Sequence, residues 1–115
     1  SYIENNDNEK ALDLLKSFSG SDDMISPAIT GLIGDCYVNM GNVKEGISYF
    51  EKAAKSADNE VISPIYLKKA GIAYESLQQY ADAVKSYTQI KEKYFNSMEA
   101  ADIDKYIARA TALAK

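Results

Sequence analysis

The sequence contains one stretch in two similar copies, ISPAITGLIGDCYVNMGN at residues 25–42 and ISPIYLKKAGIAYESLQQ at residues 62–79. The copies begin 37 residues apart, and this shift superposes Ile-Ser-Pro on Ile-Ser-Pro and Gly34 on Gly71. Further along the chain, the same shift still pairs residues of similar size and polarity. A fixed period of this kind predicts a repeat architecture, in which each unit buries its apolar face against its neighbours.

Each copy, with the residues that follow it, predicts two helices. Ser26 is a good N-cap, and Pro27 suits the first helical turn, where its missing N–H costs nothing. Apolar residues recur at helical spacing as far as Gly41, which is expected to end the helix. Ser63 and Pro64 are expected to open the equivalent helix of the second copy. A second helix follows in each unit, with apolar positions at Val43, Ile47, Phe50 and Ala54, and at Tyr80, Val84, Tyr87 and Ile90.

The composition restricts the possible functions. The chain has 115 residues, of which 46% are hydrophobic and 26% charged, as expected of one ordinary globular domain. Its net charge of -4 and the lack of any cluster of Lys and Arg argue against nucleic acid as a partner, because phosphate contacts need grouped basic side chains. No apolar run reaches the ~20 residues that span a bilayer, so this segment is not expected to insert in a membrane.

Residues for catalysis or metal binding are scarce. The chain has no histidine and one cysteine, Cys36, which argues against a zinc site, a Cys/His or Ser/His couple and an internal disulfide. Asp102 and Asp104 would point apart on a helix, so their spacing does not make an acid/base pair. Cys36 is interpreted as a partly buried structural residue, with a reactive thiol as the alternative. We therefore predict that the protein is not an enzyme and has no cofactor or metal site.

The two units resemble the tetratricopeptide repeat (TPR). The consensus W-x2-L-G-x2-Y, followed by A-x3-F, falls on Thr30, Ile33, Gly34, Tyr37, Gly46 and Phe50, and again on Leu67, Ala70, Gly71, Tyr74, Ala83 and Tyr87. The sequence departs from the consensus at both tryptophans, at the terminal proline (Asp58 in one unit, Phe95 in the other) and in its period, which exceeds the usual ~34 residues. The resemblance implies an all-α fold, a TPR-like α-α superhelix of antiparallel helix pairs with a C-terminal capping helix.

The pattern divides a single TPR domain, residues 1–115, into four parts. They are half of a preceding repeat, a first repeat, a second repeat and a capping helix, at residues 1–24, 25–60, 61–96 and 97–115. The first part is assigned as a second-helix half because Ala11 and Leu15 fit the A-x3-F spacing, so the chain is expected to begin inside a repeat. Asn96 or Ser97 is the expected N-cap of the capping helix, which terminal repeats need for solubility.

The resemblance also implies where a partner binds. In this family the first helix of each unit lines the concave face, which here would carry Asp35, Val38, Asn39, Ile65, Lys68, Ile72, Glu75 and Ser76. The chaperone-binding TPR type clamps a terminal carboxylate with a Lys/Asn/Arg set, but Gly31, Asp35 and Ile72 stand where that set would lie. A carboxylate clamp is therefore rejected. Four tyrosines are expected to be freer to contact a partner than the core tyrosines, namely Tyr2, Tyr66, Tyr94 and Tyr106.

Two stretches resemble a narrower group of proteins. DNEVISPIYLKKAG at residues 58–71 and YFNSMEAADIDKYIARA at residues 94–110 look like the C-terminal portion of membrane-anchored bacterial TPR proteins. That group includes ancillary subunits of the Sec translocon that work with periplasmic chaperones. The resemblance implies an anchor in the inner membrane, the domain on its periplasmic side, and translocon or chaperone components as candidate partners. A cytoplasmic location is the alternative.

Two functions of different kinds remain open. The first is a non-catalytic interaction module that binds a protein or peptide partner on its concave face. The second is a structural or assembly domain that mediates self-association as a homo-oligomer and has no separate peptide ligand. An enzyme is a distant third.

Overall fold

The computed structural model describes residues 2–19 and 26–114, with side chains for 7–17 and 26–114. Within this part of the chain, six α-helices follow one another and no strand occurs, which confirms the all-α fold class. A short 3₁₀ turn, Glu99–Asp102, precedes the last helix. The helices are α1 (Tyr2–Ser19), α2 (Pro27–Asn39), α3 (Val43–Ala57), α4 (Ser63–Ser76), α5 (Tyr80–Lys93) and α6 (Ile103–Leu113).

Each helix packs mainly against the helices next to it in the sequence. The pairs α2/α3 and α4/α5 are the two predicted helical units, and contacts between α3 and α4 join them. α1 packs on α2 at one end, and α6 packs on α5 at the other. This nearest-neighbour stacking is the arrangement of an α-helical repeat protein. The division of the chain at residues 25, 61 and 97 stays a prediction.

Glycines allow the helices of each pair to approach closely. A Cβ atom added to Gly34 would lie 2.8 Å from the Phe50 ring and 2.9 Å from the Gly46 carbonyl oxygen, and one added to Gly71 would overlap the Tyr87 ring. These two glycines are therefore close-approach points between the first and second helices.

The core lies between successive pairs. Its largest cluster joins α4, α5 and α6 around the fully buried Tyr87, Ile90 and Ile103. A second cluster surrounds Phe50, between α3 and α4. At the other end Cys36 is buried with Leu12 of α1, and burial raises the pKa of its thiol. The structural interpretation of this cysteine is thus supported over that of a reactive thiolate.

The two Ile-Ser-Pro copies form different structures. The Ser26 hydroxyl accepts a hydrogen bond from the Ala28 N–H at 3.2 Å, as an N-cap does. Ser63 is fully buried, and its hydroxyl donates to the Ala54 carbonyl at 2.6 Å and accepts from the Asn59 N–H at 3.1 Å. α4 begins at Ser63, as predicted, but Ser63 is the first residue of the helix and does not cap it as Ser26 caps α2. Ser63 fastens the start of α4 to the end of α3.

The turns inside the two units share one backbone conformation. Gly41, which ends α2, has φ +89°, as its predicted role requires. Gln78, at the same repeat position 37 residues later, has φ +61°. A side chain in this left-handed region is strained, so the second turn keeps a conformation that glycine adopts more easily.

The last helix begins later than predicted. α6 starts at Ile103, and Ser97 precedes the 3₁₀ turn, accepting a hydrogen bond from the Ala100 N–H at 3.2 Å. Ser97 therefore caps a turn of a different helix type. Nothing in the residue pattern distinguished a 3₁₀ turn from the first turn of an α-helix.

Candidate partner-binding face

The first helices of successive units form one surface, here called the first-helix face. It consists of one side of α2, of α4, and of α6 with the turn before it. Its side chains are Leu32, Asp35, Asn39, Ile65, Lys68, Lys69, Ile72, Glu75, Ser76, Asp102, Tyr106 and Arg109. Ion pairs from α2 to α4 and from α4 to the α6 region show that these helices lie side by side.

Exposed aliphatic side chains mark this face. Ile65 and Ile72, both predicted as partner-binding, are 38% and 47% exposed. Leu32 on α2 is 48% exposed, although no site role was predicted for it. The exposure of Leu32 could have been predicted from the 37-residue shift. The shift pairs Leu32 with the polar Lys69, which places Leu32 on an outward side of α2.

Charged groups on the face pair with one another. Lys69 donates to both carboxylate oxygens of Asp35 at 2.8 and 3.1 Å, and Lys68 lies 3.7 Å from Asp102. Each pair joins residues 34 positions apart, from one first helix to the next unit. Asp35 and Lys68 therefore stabilise the stack in addition to any role they have with a partner.

Glu75 is the most enclosed of the charged residues. Its side chain is 12% exposed and accepts hydrogen bonds from the Arg109 guanidinium at 3.0 and 2.7 Å, and from the Tyr87 hydroxyl. Burial acts to raise the pKa of Glu75, but the hydrogen bonds from Arg109 and Tyr87 outweigh it and leave that pKa below its usual range. Burial and the neighbouring carboxylate raise the pKa of Tyr87.

The other predicted residues differ in exposure. Val38 is half-buried, packs against the Phe50 cluster and fills the space beside Gly46. Asn39 is exposed and donates a 3.4 Å hydrogen bond to Asn8 of α1. Ser76 is exposed, but its hydroxyl donates to the Ala73 carbonyl of its own helix at 2.6 Å. None of these contacts tests whether the eight residues bind a partner, which stays a prediction.

The expectation that Tyr66, Tyr94 and Tyr106 are freer than the core tyrosines is wrong for the buried Tyr94, and Tyr66 and Tyr106 are half-buried in contacts between repeats. Tyr66 stacks on Phe50 with ring centroids 6.2 Å apart and fills the space beside Gly31, which is a close-approach point between repeats. Tyr106 packs on Tyr87 at 5.4 Å. Tyr94 is buried, and its hydroxyl donates to Asp58 at 2.7 Å. These aromatics join one repeat to the next, a role that a consensus for a single repeat does not encode. The side chain of Tyr2 lies outside the described ones.

Other surfaces offer less to a ligand. A shallow groove of about 600 Å³ between α3 and α5 is lined mainly by polar residues around Tyr74. Among the residues that the structure describes, no cluster of three His, Cys, Asp or Glu side chains could hold a metal ion. None of the described helices combines the length and the apolar character needed to cross a bilayer.

Similar helix pairs stacked on their neighbours, with a shared face of first helices, define a helical-repeat protein. Two family profiles, both described as tetratricopeptide repeat, match residues 31–60 and 67–97, which together make up just over half of the chain. The chain therefore belongs to the tetratricopeptide repeat proteins, whose repeats indicate a protein–protein interaction module and which are generally non-catalytic scaffolds. No curated protein and no solved structure matches it.

Proposed function

We propose that the first-helix face binds a protein or peptide partner and that the chain acts as a non-catalytic TPR interaction module. The observation that carries this proposal is the exposure of Leu32, Ile65 and Ile72 on adjacent first helices. Covering aliphatic groups that are about half exposed contributes roughly 1 kcal/mol each, from the usual free energy of apolar burial.

The paired charges define what kind of partner suits this face. Asp35 is neutralised by Lys69, Lys68 by Asp102, and Glu75 by Arg109. Contacts through Ile65 and Ile72 would therefore depend on shape and apolar area more than on charge. A partner with an apolar stripe, such as one side of an amphipathic helix, fits this description. Its affinity should change little between low and physiological salt, because exposed pairs that are already neutralised gain little from a further charge.

The proposal extends to the cellular setting through the resemblance noted above. We infer that the domain is part of a membrane-anchored bacterial protein and lies on the periplasmic side of the inner membrane, with translocon or chaperone components as partners. The support is the likeness of residues 58–71 and 94–110 to such proteins. A topology reporter fused after Lys115 in the full gene product tests this setting. Reporter activity confined to the cytoplasm would rule it out.

Site-specific photo-crosslinking tests the binding face. A photo-reactive phenylalanine analogue at Ile72 should cross-link to a partner protein, whereas the same analogue at Leu14 on α1, also exposed, should not. With the purified partner, Ile65→Ser combined with Ile72→Ser should weaken binding at least tenfold, and Leu14→Ser should leave it unchanged. Cross-links from Ile72 only to a second copy of this chain would favour the self-association function. Equal cross-linking from Ile72 and Leu14 would refute the assignment of the first-helix face as the binding site.

A further inference from the structure

The three most exposed large hydrophobic side chains of the described residues lie in two loops. Met98 is 89% exposed, Val61 73% and Phe95 66%. Val61 belongs to the loop between α3 and α4, and Phe95 and Met98 to the segment between α5 and the 3₁₀ turn. Both loops run from the second helix of one unit to the first helix of the next, so they lie at the same end of the helices. We call this surface the loop edge.

The repeat places two of these side chains at equivalent positions. Val61 and Met98 are 37 residues apart, which is the period of the sequence. Met24 stands 37 residues before Val61 in the sequence, outside the described residues. Single exposed hydrophobic residues are common on protein surfaces, but the same exposed position in successive units forms a row along one edge.

Hydrogen bonds fix the shape of both loops. The Asn59 side-chain oxygen accepts from the N–H groups of Val61 and Ile62 at 3.0 and 2.8 Å. In the other loop the Ser97 hydroxyl donates to the Tyr94 carbonyl at 2.6 Å. These bonds hold the backbone so that Val61 and Met98 project outward instead of folding onto the core.

A further bond joins the two loops. The Tyr94 hydroxyl, from a buried ring, donates to the Asp58 carboxylate at 2.7 Å. This bond joins the end of α5 to the loop that carries Val61, so the two loops are neighbours. The residues of the loop edge, 58–62 and 94–99, are not among those of the first-helix face.

The loop segments themselves carry charges of one sign. Residues 58–62 and 94–99 contain three carboxylates and no Lys or Arg, the carboxylates being Asp58, Glu60 and Glu99. Lys55 and Lys93 line a groove that also reaches Asp58, so Glu60 and Glu99 carry the remaining negative charge of the edge. An occupant with basic groups would be attracted to this edge, whereas the same edge of a second copy or an anionic lipid surface would be repelled.

We propose that the loop edge is a second docking surface, for a protein segment that presents an apolar stripe flanked by Lys or Arg. Val61, Phe95 and Met98 enter the apolar stripe, and Glu60 and Glu99 face the basic flanks. The proposal goes beyond binding on the first-helix face, because it assigns a second surface with a different charge requirement.

Two synthetic helical peptides with one common leucine stripe test the proposal. One carries lysines on both sides of the stripe and the other carries glutamates. We expect fluorescence anisotropy to show tighter binding of the lysine peptide than of the glutamate peptide, and the difference should shrink as salt rises. The variant Val61→Ser/Phe95→Ser/Met98→Ser should bind the lysine peptide at least tenfold more weakly, and Glu60→Lys/Glu99→Lys should also weaken this binding. Since all three replaced side chains are mostly exposed, the first variant should keep the melting temperature of the parent.

Matched measurements decide between the alternatives. Ile65→Ser/Ile72→Ser on the first-helix face should leave the preference for the lysine peptide unchanged, which separates this proposal from the one above. Equal affinity of the loop-edge serine variant and the parent would overturn the proposal, as would failure of the lysine peptide to bind. Co-sedimentation with phosphatidylcholine/phosphatidylglycerol vesicles that is lost in the serine variant would assign the edge to lipid instead. A dimer lost in that variant would assign it to a second copy.

Discussion

Glu75 on α4 accepts two hydrogen bonds from Arg109 on α6, at 3.0 and 2.7 Å, and so links these two helices. The same carboxylate accepts a hydrogen bond from the fully buried Tyr87. A residue predicted for partner binding is thus also a structural link. Replacing it should affect folding as well as any binding.

Glu75→Ala should destabilise the protein more than Arg109→Ala, the change at the other end of this ion pair. It leaves the buried Tyr87 hydroxyl without its acceptor, and such a loss typically costs about 1–3 kcal/mol. Arg109→Ala removes one half-exposed partner and should cost no more than about 1 kcal/mol. Urea unfolding measures both. Lys105→Ala, an exposed change on the same helix, is the control and should stay within about 0.5 kcal/mol. Equal stability of Glu75→Ala and the parent would contradict a stabilising role of Glu75 between α4 and α6.

The lowered pKa of Glu75 predicts a pH dependence. Because the folded-state pKa lies below the ordinary value of 4.5, the unfolded chain binds more protons in this range. The stabilisation from Glu75 is therefore present above pH 4.5 and is lost as pH falls through the folded-state pKa. The melting temperature should decline less steeply with acid in Glu75→Gln than in the parent. Parallel curves for the two proteins would show that Glu75 does not contribute.

Gly71→Leu should separate α4 from α5. Even the first carbon of the new side chain overlaps the Tyr87 ring, which is fully buried and cannot move aside. Overpacking of this kind costs about 1–3 kcal/mol or more. Thermal unfolding followed by circular dichroism measures the loss. Ala112→Leu, an exposed change on α6, controls for the added leucine. An unchanged melting temperature for the Gly71 variant would refute the close approach.

Gln78→Gly should stabilise the protein. The change relieves a left-handed backbone that costs a side chain roughly 1–2 kcal/mol, partly offset by the greater freedom of glycine in the unfolded chain. A net gain of about 0.5 kcal/mol is expected. The reverse change at the equivalent turn, Gly41→Gln, should destabilise, because φ is +89° there. Chemical denaturation measures the free energy of unfolding of both variants. Changes of the same sign in the two variants would contradict this account of the left-handed turns.

The two serines of the repeated tripeptide should differ in sensitivity. Ser63→Ala removes two hydrogen bonds from a fully buried site and should cost about 1–3 kcal/mol. Ser26→Ala removes an exposed cap and should cost about 0.5–1 kcal/mol. Denaturant midpoints of the two variants provide the comparison. A loss of stability in Ser26→Ala that equals or exceeds the loss in Ser63→Ala would contradict the different roles of the two serines.

Local features of the fold could be predicted from the sequence, because their causes lie within a few residues. Ser26 and Gly41 bound α2 as expected, and the glycines at positions 34 and 71 lie where the consensus requires small residues. The hydrogen bonds of Ser63 could not be predicted from the sequence in the same way. Its partner carbonyl, on Ala54, belongs to the preceding helix, and an identical tripeptide gives no sign of it.

The candidate site was harder to predict because its contacts span repeats. The outward direction of Ile65 and Ile72 follows from the repeat register, and the structure places both at the surface. The partners of Asp35 and Glu75 stand 34 residues further along the chain, beyond the range of any helix periodicity. Tyr66 was assigned to a free surface for the same reason, since the ring packs on the unit before its own.

The stacking of each helix on its sequence neighbours also has a kinetic consequence. Contacts between adjacent helices close only short stretches of chain, which gives a low contact order and favours rapid folding. Opening should begin at helices that pack against few of the other described helices. Amide protons of α1, which packs chiefly on α2, should therefore exchange with solvent sooner than those of α4 and α5, where the largest core cluster lies.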